Sequence, residues 1–311
     1  MVKIIAEIGI NHNGDIDICK KMMLLAKFAG VDYVYLDLET RGGCNAATIG
    51  VDVVFHCAAK VSFERKDKDA LMFNNVIGTR NVVNACLKNN IGQLVYASSV
   101  AAIGRTENEA PITENTDWVD SKYNSQYAVS KNLAEQEVWR GKEEGLQVAI
   151  VNPGIILGYG DGKTGSNQLY HMILKGLPFC PVGGNGFVGV EDVAKLMLHL
   201  FENNLWNERY LCIAENLKYQ HVFNQLADAM GVKQPKYTID GVLYHVLVLF
   251  STALETFGIK PPIPSDSIKS SHQNSVYHSI HKEALKDFQF TPVRAVNYYA
   301  LLALGLLNKD A

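Results

Sequence analysis

The stretch between residues 51 and 154 constrains the fold more than any other. Three apolar runs of strand length, at 51–55, 93–97 and 147–151, alternate with two segments of helical spacing, at 69–88 and 127–144. The runs are apolar at consecutive positions, as strands buried on both faces require. This alternation predicts a parallel sheet covered by helices on both sides. Open sheets of that kind take their ligands at the carboxyl ends of the strands. Two of the runs end there in polar turns, Ser98-Ser99 and Asn152-Pro153-Gly154.

Between these turns the second helix carries Tyr127-Ala-Val-Ser-Lys131. Residues four apart share a helix face. An ammonium near a phenol favours phenolate and lowers the tyrosine pKa, which makes a general acid/base for a hydroxyl proton. With 14 tyrosines in the chain, the spacing alone carries little weight. Its weight comes from order: a serine hydroxyl, a phenol and an ammonium are all expected at one edge of one sheet.

After residue 156 the texture changes. A glycine-rich loop at 158–165 precedes helices predicted at 166–175, 190–203, 219–230, 241–256 and 294–307, and Pro261-Pro262-Ile263-Pro264 forms a rigid break. The loop falls short of a phosphate-binding P-loop, because Leu157 stands where the first glycine belongs. The 311 residues are 48% hydrophobic and 20% charged, which suits one large or two modest domains; the change in texture divides the chain into a sheet part at 1–155 and a smaller, mostly helical part at 156–311, for which the resemblance given below implies substrate binding.

A net charge of −3 gives no global attraction to nucleic acid or to an anionic membrane. The apolar run at 241–254 is too short to span a bilayer core of about 30 Å; it reads first as a buried or surface-docked helix, and otherwise as one resting on a membrane surface. Cysteines at 19, 44, 57, 86, 180 and 212 form no C-x-x-C pair and read as buried thiols in a reducing compartment. No cysteine–histidine spacing suits a metal. With no signal peptide visible, a cytoplasmic location is expected. The mixed charge run at 60–68 is expected to be solvated, and Arg105 is a candidate contact for an anionic substrate.

Five motifs in order, Val51-Asp-Val-Val-Phe-His-Cys-Ala-Ala59, Asn75-Val-Ile-Gly-Thr79, Leu94-Val-Tyr-Ala-Ser-Ser99, Tyr127-x-x-x-Lys131 and Val151-Asn-Pro-Gly154, together resemble the extended short-chain dehydrogenase/reductase superfamily in its NAD-dependent epimerase/dehydratase branch. The resemblance implies a Rossmann-like doubly wound α/β fold and an NAD- or NADP-dependent oxidoreductase or epimerase. The implied reaction is hydride transfer at a carbinol or carbonyl carbon of a sugar nucleotide or a small ketone or aldehyde. It implies catalytic roles for Ser99, Tyr127 and Lys131. Cofactor contacts are implied at Ala58, Ala59, Asn75, Ser98, Tyr127, Lys131, Pro153 and Gly154. Pairing of two copies through the Tyr127 helix and its predecessor is a further implication.

The opening departs from that pattern. A first strand should lead into G-x-x-G-x-x-G, whose glycines let the backbone approach a pyrophosphate. From Gly9, the equivalent positions hold His12 and Asp15. Residues 1–40 form an atypical β-α-β reading that resembles the start of an N-acetylneuraminate synthase, so the chain reads as a chimera. Only residues 39–50 join the two parts, leaving no room for the family's further helix, strand and helix. Asp37 or Glu39 is a candidate ribose contact. The alternative reading is a non-catalytic remnant in which the missing glycine loop has impaired cofactor binding.

Overall fold

The computed structural model describes residues 44–45, 48–104, 110–121, 124–159 and 168–308. The leader at 1–40, with Glu7, Asp37, Glu39 and Cys19, lies outside the described residues, as do Arg105 and most of the glycine-rich loop.

Strand β1 (Val53–His56) is followed by a helical turn at Arg65–Asp67 and a long helix in three parts, Lys68–Leu71, Met72–Ile77 and Gly78–Lys88, together termed α1. Its middle part winds wider than an α-helix. Strand β2 (Gln93–Ala97) leads through a short turn, Val100–Ala102, and a loop to helix α2 (Gln126–Glu143) and strand β3 (Gln147–Pro153). Then come β4 (Ile155–Leu157), α3 (Gln168–Leu174), β5 (Phe179–Pro181), β6 (Gly184–Gly189), α4 (Val190–Glu202) and β7 (Glu208–Cys212). The chain continues through β8 (Glu215–Lys218), α5 (Tyr219–Met230), β9 (Tyr237–Ile239), α6 (Gly241–Thr256), α7 (Ser265–His272) and α8 (Val293–Leu304).

Among the described residues the main sheet has the order β1-β2-β3-β7, every pair parallel. Alternate side chains leave opposite faces of a strand, and here both sets are apolar. Leu94, Tyr96, Val148 and Ile150 pack against Val82, Val83 and Cys86 of α1 and Ala134 and Val138 of α2. Val95, Ala149 and Val151 pack on the other side against Val193, Leu196 and Leu200 of α4. Each such buried aliphatic side chain stabilises the fold by about 1.5–3 kcal/mol before entropy is counted. The fourth strand, β7, comes from residues assigned on sequence to the substrate half, so the chain enters that half and returns to the sheet. A second core, including Tyr170, Phe187, Val222, Phe223, Leu226 and Leu301, holds α3, β6, α5 and α8 together.

Two local expectations change and a third gains detail. Cys57 is exposed rather than buried, because it lies just past the end of β1. The charge run at 60–68 is solvated as expected, with Arg65, Lys66 and Lys68 exposed, and it also makes surface ion pairs: Glu64 lies 2.9 Å from Lys66 and 2.8 Å from Lys260, and Arg65 lies 3.2 Å from the nearly buried Glu255. Helix α6 forms over the predicted span, yet Ser251 is its only buried residue.

Candidate active site

The carboxyl ends of β1, β2 and β3 lie side by side, His56 paired with Tyr96 and Ala97 with Val151. Beyond β2 the chain stays extended at Ser99, whose hydroxyl accepts a hydrogen bond from the Ala101 N–H at 3.2 Å and so starts the next turn. Helix α2 begins under a serine cap: the Ser125 hydroxyl accepts from the Ala128 N–H at 3.1 Å. Tyr127 therefore sits in the first helical turn, where the helix dipole favours negative charge.

Burial pushes the Tyr127 phenol above the usual tyrosine range, and the Ser99 side chain opposes the rise. The Phe63 ring covers the site with its centroid 5.8 Å from that of Tyr127.

Lys131 lies one helical turn on and is 1% exposed. Its Nζ donates to the Tyr96 hydroxyl at 2.7 Å and to the Ala97 carbonyl at 3.0 Å, and it sits 4.4 Å from the Tyr96 ring centroid. Burial lowers its pKa to about 8, against the opposing attraction of Glu135 and Cys57. The expected depression of the Tyr127 pKa by this ammonium is not found. Lys131 is turned to the end of β2, so the phenol answers to burial and to Ser99.

The remaining sequence-selected residues fall around this edge in distinct positions. Ala58 is buried and Ala59 half-buried just after β1. Asn75 is fully buried and clamps the next residue on both sides: its Oδ1 accepts from the Lys60 N–H at 2.7 Å, and its Nδ2 donates to the Lys60 carbonyl at 3.0 Å. The same Nδ2 donates to Ser130 Oγ at 2.9 Å, joining the end of β1 to the helical turn between Tyr127 and Lys131. Ser98 points away from Tyr127; its hydroxyl donates to Glu135 Oε1 at 2.5 Å. Pro153 is buried at the end of β3 beside Cys212. Gly154 has a packing reason to be glycine: a Cβ there would come within 2.2 Å of the Gly186 carbonyl oxygen.

Sequence reasoning missed Glu135. It is 1% exposed and gathers the site's frame. Its Oε1 accepts from Ser98 Oγ and from Asn152 Nδ2 at 2.6 Å, and Arg209 of β7 lies 3.3 Å from Oε2. Asn152 Nδ2 also donates to the Ser99 carbonyl at 2.9 Å. The only signal in the sequence was position, one helical turn after Lys131 on the same face. Tyr96 was likewise passed over as a core residue, although its hydroxyl meets Lys131.

The residues at this edge fit the nicotinamide end of a dinucleotide. An ammonium has three donors, and Lys131 spends two on the protein, leaving one for a ribose hydroxyl. The Asn152 Oδ1 is buried without a hydrogen-bond partner. The residues that would meet the pyrophosphate belong to the leader, outside the described residues.

The family model for the NAD-dependent epimerase/dehydratase family matches residues 17–212; it begins inside the stretch read as the leader. A protein of Synechocystis sp., described provisionally as a dihydroflavonol 4-reductase, is 31% identical over 254 residues, covering 79% of this chain and 74% of that one. Cinnamoyl-CoA reductase 1 of Petunia hybrida is 29% identical over 238 residues, covering 73% and 67%. A crystal structure of a nucleoside-diphosphate-sugar epimerase from Pseudomonas aeruginosa superposes with a TM-score of 0.72 at 18% identity, covering 92% and 87%.

Proposed function

This chain belongs to the NAD-dependent epimerase/dehydratase family, and from that premise we propose that it is a carbonyl reductase or carbinol dehydrogenase working at the Ser99–Tyr127 edge with NAD or NADP. The observation that carries the reading is the shared edge: Ser99 just past the end of β2, Tyr127 in the first turn of α2, and one turn further the buried Lys131, whose Nζ is bonded at the end of the same strand. The two relatives near 30% identity carry reductase names, which favours a ketone, aldehyde or thioester carbonyl over a sugar nucleotide.

In the reducing direction Ser99 and Tyr127 bind the carbonyl oxygen of the substrate. The nicotinamide, when bound, supplies the hydride to the carbonyl carbon. As negative charge develops on oxygen, Tyr127 donates its proton. Burial keeps the phenol protonated at neutral pH, the form an acid needs. The phenolate left behind is held by the Ser99 hydroxyl and the first turn of α2, and regains a proton from solvent. Lys131 holds a ribose hydroxyl with its remaining N–H, while Tyr96 and Ala97 fix the ammonium. Phe63 limits water over the phenol.

The test is to measure NADH and NADPH binding by fluorescence, then turnover of a panel of aryl ketones, aldehydes and acyl thioesters. Tyr127→Phe should lower kcat by about 10²–10⁴ with dinucleotide affinity unchanged. Turnover by Tyr127→Phe within a few-fold of the parent would overturn the reading. A second reading rests on the missing glycines of residues 9–15. Absence of binding by either dinucleotide would favour that non-catalytic reading. Pairing of two copies through α1 and α2 is supported by an open groove of about 550 Å³ whose lining includes Met72, Phe73, Val76 and Leu133. Light scattering of the parent and of Phe73→Glu tests it.

A further inference from the structure

We propose that α6 is a lipid-docking helix that lays the active-site side of the protein against an anionic membrane surface. Its outward residues form one stripe along the whole helix: Val242, Val246, Leu249 and Phe250 are 81, 54, 70 and 56% exposed, and Phe257, just past its end, is 80% exposed. Spacings of three, four and seven put these on one face. A single exposed apolar residue needs no explanation, but a continuous row on a monomer surface does. Residues 241–254 contain no Asp, Glu, Lys or Arg, and His245 and Tyr244 are their titratable side chains. Glu255 is turned inward, accepting from the Ser265 N–H and hydroxyl and pairing with Arg65.

Charge decides the occupant. Exposed Lys233 and Lys236 precede the helix, and exposed Lys260 follows it. Lys66 joins the second group through Glu64. Asp240 is the one exposed acid in the approach, and its carboxylate caps the helix. An apolar stripe with cations at both ends suits acyl chains beneath anionic headgroups. It does not suit a second copy. Two-fold pairing of α6 on α6 would set the lysines of one end against those of the other, at a cost. The helix has 16 residues, too few to cross the bilayer core, so it lies in the interface plane. Its far end is tied to the site: Lys260 and Glu255 bridge to Glu64 and Arg65, next to Phe63, which touches Tyr127.

The experiment is co-sedimentation of the full chain with vesicles of phosphatidylcholine alone or mixed with phosphatidylglycerol, without substrate or dinucleotide, so that it succeeds or fails independently of the enzymatic reading. The parent should sediment with the mixed vesicles and be released by salt. Leu249→Asp/Phe250→Asp should lower the bound fraction by about tenfold or more, and Lys236→Glu/Lys260→Glu should remove the preference for the anionic lipid. All these positions are exposed, and circular dichroism melts confirm that the variants fold. Three results would overturn the proposal: no sedimentation of the parent, equal sedimentation of the aspartate variant, or a fall in particle mass in that variant without vesicle binding by the parent, which would mark the stripe as a contact between copies.

Discussion

Exchanging Lys131 for methionine isolates the cost of burying an ammonium at the sheet edge. In the folded protein burial lowers the lysine pKa from 10.5 to about 8. In the unfolded chain it keeps its ordinary value. Between those two values the unfolded state binds more protons than the folded state, so stability rises with pH. Below the folded value the penalty is present in full; above the unfolded value it is gone. One pKa unit corresponds to about 1.4 kcal/mol, which makes the full penalty about 3 kcal/mol. From about pH 7 to about pH 9.5 the parent should therefore gain about 2 kcal/mol relative to Lys131→Met, which has nothing to titrate at this position. Urea unfolding of both proteins at the two pH values measures the change, and groups common to both cancel. At neutral pH the methionine variant should be the more stable of the two, less whatever is lost by unpairing the Tyr96 hydroxyl and the Ala97 carbonyl. A parent–variant difference that stays constant within about 0.5 kcal/mol across that range would refute the reasoning.

Other perturbations bear on the same frame. Tyr96→Phe removes a neutral acceptor from the ammonium while keeping the ring, so the rise of stability with pH should begin about one unit lower in the same urea series. Glu135→Ala strips partners from Ser98, Asn152 and Arg209 at once and should destabilise by about 3–5 kcal/mol in thermal or urea unfolding. Glu135→Gln, which keeps the shape, should cost less. Gly154→Ala forces a methyl against the Gly186 carbonyl, and a shift of two packed backbones should cost about 1–3 kcal/mol.

Much of the frame was legible because it depends on periodicity. The apolar runs at 93–97 and 147–151 became β2 and β3, and the helix predicted at 241–256 formed over that span. Ser99 and Tyr127 were placed at one edge by strand order alone, and the backbone carries them there, Ser99 just past β2 and Tyr127 in the first turn of α2. What stayed hidden depends on direction rather than spacing. Tyr127-x-x-x-Lys131 says that two side chains share a helix face; it does not say that the longer one bends to Tyr96 instead. Glu135 looks in sequence like a solvated helix acid and is instead closed in by β2, β3 and β7. The run at 60–68 is solvated as read, but its ion pairs to Glu255 and Lys260 could not be seen because those partners lie almost 200 residues away. Gly154 was legible as special, but its reason, the close passage of Gly186, came from tertiary packing.

Arg209 reaches Glu135 from β7, and that strand is translated only after the excursion through β4, α3, β5, β6 and α4. A nascent chain that has emerged as far as β3 would hold Glu135 with no guanidinium beside it and β3 with one unprotected edge, a natural template for mispairing. The serine, the phenol and the ammonium would all be present in such a chain, on a floor still one plank short. Assembly of the reactive edge therefore waits on the second half of the polypeptide, and truncation anywhere before residue 212 should yield an aggregating species rather than a minimal catalytic core.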